Sequence, residues 1–190
     1  METDQGFDLH NALEALATVD TAQAGGSAAA FVGAIAAAVT VKVARLSGQE
    51  GVSAQALSLR SRLAGLAPSD AEAFAEARKA LAVGEGGGDV RRDFQLGLVL
   101  NRASAVPLEI AEACADVSAL AAELARTGEA DAQPDAAVAA VLAAAAAHAA
   151  VRLVEVNLAL GTDDPRIARA RAVARSASAA AEFVPGGAGT

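Results

Sequence analysis

At 190 residues the chain is long enough for one domain with a real core. Hydrophobic residues make up 54% of it, mostly alanine, while aromatic residues reach 3% and Trp and Tyr are absent, a composition for helices rather than strands. The net charge of −8 leaves no basic footprint for nucleic acid, and the single cysteine, Cys114, excludes an internal disulfide or a multi-cysteine metal site.

The opening METDQGFDLH is acidic and polar, unlike a secretory leader, and residues 1–7 read as a tail. Leu9, Leu13 and Leu16 then recur at steps of four and three, predicting a short amphipathic helix over 8–19. GGS at 25–27 reads as a tight turn. It feeds a second helix, from about Ser27 to Leu46, that is apolar nearly all round, as in a helix surrounded by others. Gly25 to Val41 carries no charge, but the run falls short of the ~20 apolar residues of a membrane span. It and the similar 136–151 run are expected to be buried helices of a cytoplasmic protein, with no membrane partner. Val52, Ala56, Leu59, Leu63 and Leu66 mark a third helix, with Arg60 and Arg62 on its outer face. Pro68 is expected to stop it. Ser69 and Glu72 then form a capping-box pattern that puts Asp70 in the first turn of a fourth helix, beside its positive end.

GEGGGD at 84–89 reads as a flexible loop. A helix from about Val90 meets Pro107, where it kinks or restarts, and continues through a buried stripe of Ile110, Cys114, Val117, Ala121 and Leu124. TGEADAQPD is a polar connection in which Asp135 is placed to cap the next helix, roughly 136–160. Asp164-Pro165 opens the last helix by cap and first-turn proline. Its Arg166, Arg169, Arg171 and Arg175 read as a solvated face, and 184–190 as a disordered tail. The expected fold is all-α, a single-domain bundle of about six to eight helices over 8–183. With so few large side chains, its helices must approach closely.

Several residues could carry chemistry, each with a plainer reading beside it. A glycine turn before a helix can bind an anion, but GGS lacks the lysine spacing of a nucleotide loop, and close packing accounts for it first. Asp70 and Asp135 fit helix-terminal roles. Asn157, a polar residue in an apolar helix, needs a partner if buried. His148 reads as a satisfied core or interface histidine and Cys114 as inert packing. With two histidines and one cysteine, no metal site is expected.

Taken in order, however, four segments resemble the formiminotransferase-cyclodeaminase C-terminal domain family. GGSAAAFVGAIAAAVTVKVARLS is similar to its opening signature, DAEAF at 70–74 to a second block, and RRDFQLGLVLNRASAVPLEIAE to a third, through Arg92, Gln95, Ala103 and Pro107. PDAAVAAVLAAAAAHAAVRLVEVNLAL is similar to the fourth through Asp135 and Asn157. The resemblance implies an all-helical homodimer that binds folate as substrate, with no permanent cofactor. Such an enzyme closes 5-formimino-tetrahydrofolate to the 5,10-methenyl form with loss of ammonia, or interconverts the methenyl and 10-formyl forms. It assigns Asp70 as the catalytic carboxylate and Gly25, Gly26 and Ser27 to the folate site. Gln95, Asp135 and Asn157 are expected to contribute to binding, and Arg60, Arg62, Arg91 or Arg92 to hold the anionic glutamate tail. The departures are Gln23 and Ala24 for Pro and Gly, Lys42 for Met, Pro134 for Ser, and GEGGGD for a Pro-Lys segment. They leave two alternatives: a repurposed enzyme for a non-folate imine or amidine, or a catalytically silent assembly protein.

Overall fold

The structure, a computed structural model, describes residues 9–19, 25–82, 90–158 and 164–182. The tails, the 84–89 loop and residues 20–24, with Gln23 and Ala24, lie outside them. The described residues form α1 (Leu9–Ala17), α2 (Gly25–Leu46), α3 (Glu50–Ala82), α4 (Val90–Thr127), a 3-10 turn (Ala130–Ala132), α5 (Gln133–Asn157) and α6 (Pro165–Glu182), with no strand among them. The all-α expectation holds.

Alanine decides how the bundle packs. Ala29, Ala36, Ala37, Ala113, Ala143 and Ala147 line the main core, where Leu63, Ile110 and Val154 are among the few large side chains. Small side chains bring backbones close enough for hydroxyls to reach a neighbouring helix. Ser118 Oγ on α4 lies 3.0 Å from the Ala140 carbonyl of α5 and 3.2 Å from the Ala177 carbonyl of α6. A methyl on Gly33 would overlap Cys114 Sγ, so α2 and α4 touch there through glycine and sulfur. Cys114 is buried and its thiol is pushed up to about 12 by loss of solvent, in keeping with inert packing.

α2 and α5 are both long and apolar enough to cross a membrane, yet about half of the apolar stretch of each, 56% and 50%, is covered by other helices. They run antiparallel: Leu153 near the end of α5 packs beside Gly25 at the start of α2, while Asp135 near the start of α5 meets Lys42 near the end of α2. α2 closes with Gly48 at φ 65°, its N–H bonding Arg45 O at 3.1 Å and that of Gln49 bonding Ala44 O at 2.9 Å, a helix stop that favours glycine.

The prolines behave differently from expectation. Pro68 does not end a helix; it lies inside a continuous α3 of 33 residues. Ser69 makes no cap, its hydroxyl instead bonding back to Gly65 O at 3.0 Å. Pro107 is likewise carried inside α4. Tertiary packing on both sides outweighs the loss of one helical hydrogen bond at each proline. At the start of α5 the cap position is Ala132, with no side-chain cap bond, and Asp135 falls within the first turn. Asp164 does cap α6, accepting the Arg166 N–H at 2.9 Å, with Pro165 as first helical residue.

Candidate active site

One end of the bundle opens into a cleft of about 370 Å³. Its walls are the first turn of α2 (Gly25, Gly26), a stripe of α3 (Asp70, Phe74, Ala77, Arg78, Leu81), α4 from Leu100 to Pro107, and the end of α5 (Leu153, Val156, Asn157). The α3 residues recur at steps of three and four, so one face of one helix supplies the carboxylate, the aromatic ring and the cation.

Asp70 lies against the start of α2 so closely that a methyl on Gly26 would overlap its carboxyl group, whereas one on Gly25 would meet only Leu153 at 3.8 Å. The two glycines therefore have different tasks. Neither is needed for a turn, because both lie inside α2 and Gly48 alone has positive φ among the described residues. The tight turn expected at 25–27 is instead the first turn of the helix, and Gly26 is small because Asp70 is there.

The carboxylate is 7% exposed. Burial raises its pKa above the ordinary 3.8, while hydrogen bonds from the Ser27 backbone N–H and hydroxyl pull the other way. Burial is the larger influence. The hydroxyl has one proton to give; it donates to Ala67 O at 2.9 Å, so it serves that carbonyl or the carboxylate at any one time. Ala67 immediately precedes Pro68, and Ser27 thereby ties the start of α2 to the proline-bearing stretch of α3. The positive helix end beside Asp70 thus belongs to α2, not to a helix beginning at Asp70.

Asn157 closes the far wall. A proline at position 107 has no N–H for the carbonyl four residues earlier, that of Ala103. Asn157 Nδ2 donates to that oxygen at 2.7 Å. This fixes the amide's orientation, since only its NH₂ can meet a carbonyl, and leaves Oδ1 as an acceptor on a cleft-lining residue.

Asp70, Gly25, Gly26 and Asn157 therefore share one cleft, with Ser27 bonded behind them. The other expected residues do not join them. Asp135 pairs with Lys42 at 2.8 Å in solvent, at the opposite end of α5 from Asn157 and about 33 Å away at the helical rise; one chain cannot bring both to one small molecule. Gln95 is exposed and outside the cleft lining. Arg62 is engaged by Glu109 at 3.6 Å, and neither it nor Arg60 lines the cleft. Arg91 and Arg92 lie in α4, with side chains outside the described residues. Sequence reading missed Phe74 and Arg78, although both follow Asp70 at helical spacing; the assumed helix break at Pro68 did not hide that period, but nothing marked this face as the inner one.

Elsewhere, His148 is satisfied but exposed, 2.6 Å from Ser178 Oγ. The α6 arginines are more than a solvated face: Arg166 grips Asp164, whose carboxyl is held down to about 2, Arg169 approaches Glu112 at 2.6 Å, and Arg171 bonds Glu155 at 2.8 Å. Glu112 Oε1 is close to Arg169 without the alignment of a hydrogen bond.

A profile described as formiminotransferase-cyclodeaminase matches residues 8–176. Among solved structures, formiminotetrahydrofolate cyclodeaminase from Thermotoga maritima superposes with a TM-score of 0.80 at 21% identity, covering 94% of this chain and 96% of that one. At that identity the likeness speaks for the fold. No curated protein sequence matches.

Proposed function

The chain belongs to the formiminotransferase-cyclodeaminase family, and from that premise we propose that it acts on a tetrahydrofolate derivative in the cleft at Gly26 and Asp70, with Asp70 as general acid and base. The carrying observation is a single buried carboxylate with a raised pKa, held against a helix start and facing an open, largely apolar cavity. Such a group keeps its proton to higher pH than a surface aspartate and so can both give and take one.

In cyclodeamination, Asp70 gives its proton to the imine nitrogen of 5-formimino-tetrahydrofolate. N10 attacks the formimino carbon, and the carboxylate removes the N10 proton from the tetrahedral intermediate. It passes that proton to the amino group, which leaves as ammonia as the C–N bond breaks and the methenyl cation forms. Solvent reprotonates Asp70, so one proton is consumed per turnover. The carboxylate also faces the developing cation, which favours the charged product. When Asp70 is protonated it can donate to Ser27 Oγ, whose own proton stays on Ala67 O, so the acid form loses no partner. The hydrolytic relative of this reaction uses the same carboxylate on a water molecule attacking the methenyl carbon.

The test supplies 5-formimino- and 5,10-methenyl-tetrahydrofolate separately and follows methenyl absorbance and ammonia. Methenyl formation with stoichiometric ammonia selects cyclodeamination, and methenyl loss without it selects hydrolysis. Turnover undiminished in Asp70→Asn removes Asp70 from the mechanism. We also propose that the chain works as a homodimer, which sedimentation at working concentration checks.

A further inference from the structure

The cleft has two charged residues among the described lining, and they differ in sign. Asp70 and Arg78 stand two turns apart on the same face of α3, about 12 Å along the helix. Between them projects Phe74, and the Arg78 guanidinium lies 5.8 Å from its ring centroid, within the range of a cation–π contact. Arg62, Arg102, Arg166, Arg169 and Arg171 are each engaged by a carboxylate. Arg78, like Arg45, Arg60 and Arg175, has no ion-pair partner among the described residues, but of these four it is the one that lines the cleft. A cation held in place by an aromatic ring, at the mouth of a cleft and without a carboxylate of its own, is prepared for an anion brought by the ligand.

We infer that Arg78, oriented by Phe74, is the anchor for the carboxylate end of the ligand, and that the cleft selects a planar molecule cationic at one end and anionic at the other. This rests on the reading of the cleft as a folate site. The methenyl or formimino centre lies at Asp70, the aminobenzoyl ring runs along Phe74, and a glutamate carboxylate meets the guanidinium. A benzoyl ring and one amide separate the reacting nitrogen from that carboxylate, a length comparable with the spacing of the two residues. The role first considered for Arg60, Arg62, Arg91 or Arg92 passes to a residue on the same helix as the catalyst.

The experiment uses the full chain with two kinds of probe. Binding of 4-aminobenzoylglutamate and of its bis-amide is measured by calorimetry or ligand-observed NMR, for the parent protein, Arg78→Gln, Arg78→Lys and Phe74→Leu. Steady-state kinetics with a folate substrate run alongside. The parent should prefer the anionic probe, and Arg78→Gln should lose roughly 10- to 100-fold in its affinity while leaving the bis-amide unchanged. KM for folate should rise by a similar factor with kcat held, the signature of binding lost equally in ground and transition states. Arg78→Lys should fall between, because charge survives and the planar fork does not. Phe74→Leu should weaken both probes, the anionic one more, because both lose the ring contact and only the anion also loses an oriented guanidinium. Equal loss for both probes in Arg78→Gln, or no loss, overturns the anchor. If folate is turned over with unchanged KM in Arg78→Gln, the anchor fails and the folate reading survives. If the parent holds 4-aminobenzoylglutamate through Arg78 but turns over no folate, the anchor stands and the folate reading fails.

Discussion

The two ends of α2 each meet an aspartate from another helix, to opposite effect. At one end of α2, Asp70 is buried, leans on Gly26 and is hydrogen-bonded by the N–H and hydroxyl of Ser27. At the other, Asp135 stands in solvent with Lys42 at 2.8 Å. Both could be read as helix-terminal acids, and both were plausible site residues. The difference is what each has been left to do. Asp135 has a counter-ion and lies outside the cleft. Asp70 has been deprived of solvent and has no cation paired with it among the described residues, so its proton affinity is raised and remains available to chemistry.

That contrast can be broken most severely at Asp70 itself. Asp70→Asn should lower kcat by about 10²–10⁴, the range for losing a general acid–base group, as read by initial rates with either folate substrate. It should also raise stability above the acid range. The native state binds the Asp70 proton more tightly than the unfolded chain does, so stability falls as pH rises from 3.8 through the raised value. The asparagine variant lacks that loss; its melting-temperature advantage should appear above this window and vanish below 3.8.

Gly26→Ala comes next. The added methyl meets a carboxyl group that can rotate away, so the fold should survive at a cost of about 1–3 kcal/mol. Activity should fall by about 100-fold because the catalyst is displaced, while Gly25→Ala, facing Leu153 at an ordinary distance, should leave both nearly unchanged. Parallel melts and rates separate the pair.

A smaller effect lies on the opposite wall. Asn157→Ala leaves the Ala103 carbonyl without its bond and should cost about 1–2 kcal/mol by denaturant unfolding. Adding Pro107→Ala restores a backbone donor for that oxygen, so the double variant should recover part of the loss. A purely additive result would mean that the amide does not compensate for the proline. The mildest change is Lys42→Ala at the far end, which should cost under about 1 kcal/mol and leave kcat untouched.

Much of this was legible in advance because alanine-rich helices with leucine steps of three and four have few other ways to fold. The period of Val52, Leu59 and Leu63 and the Asp164-Pro165 start both appear as expected. Punctuation was harder. Pro68 and Pro107 carry strong local preferences against a helix interior, yet each is overridden by contacts with helices far away in sequence, which a local pattern does not contain. The same holds for the site. The four sequence blocks pointed to Asp70, the glycines and Asn157, which do converge, but also to Asp135, which lies at the wrong end of its helix. Arg78 had no motif; its value comes from lining the cleft beside Phe74 on the same face as Asp70, and that is a fact of packing. Asn157 shows the reverse case: its partner could have been anticipated by asking which carbonyl Pro107 abandons.

Because α3 runs unbroken from Asp70 through Arg78, proton donor, ring and guanidinium are threaded on one rod. Inserting or deleting a single residue between positions 70 and 78 would swing everything beyond it by roughly 100°, turning the guanidinium out of the cavity. Descendants of this chain can therefore change what they accept by exchanging side chains on that rod, while changes in length are confined to the connections at its ends.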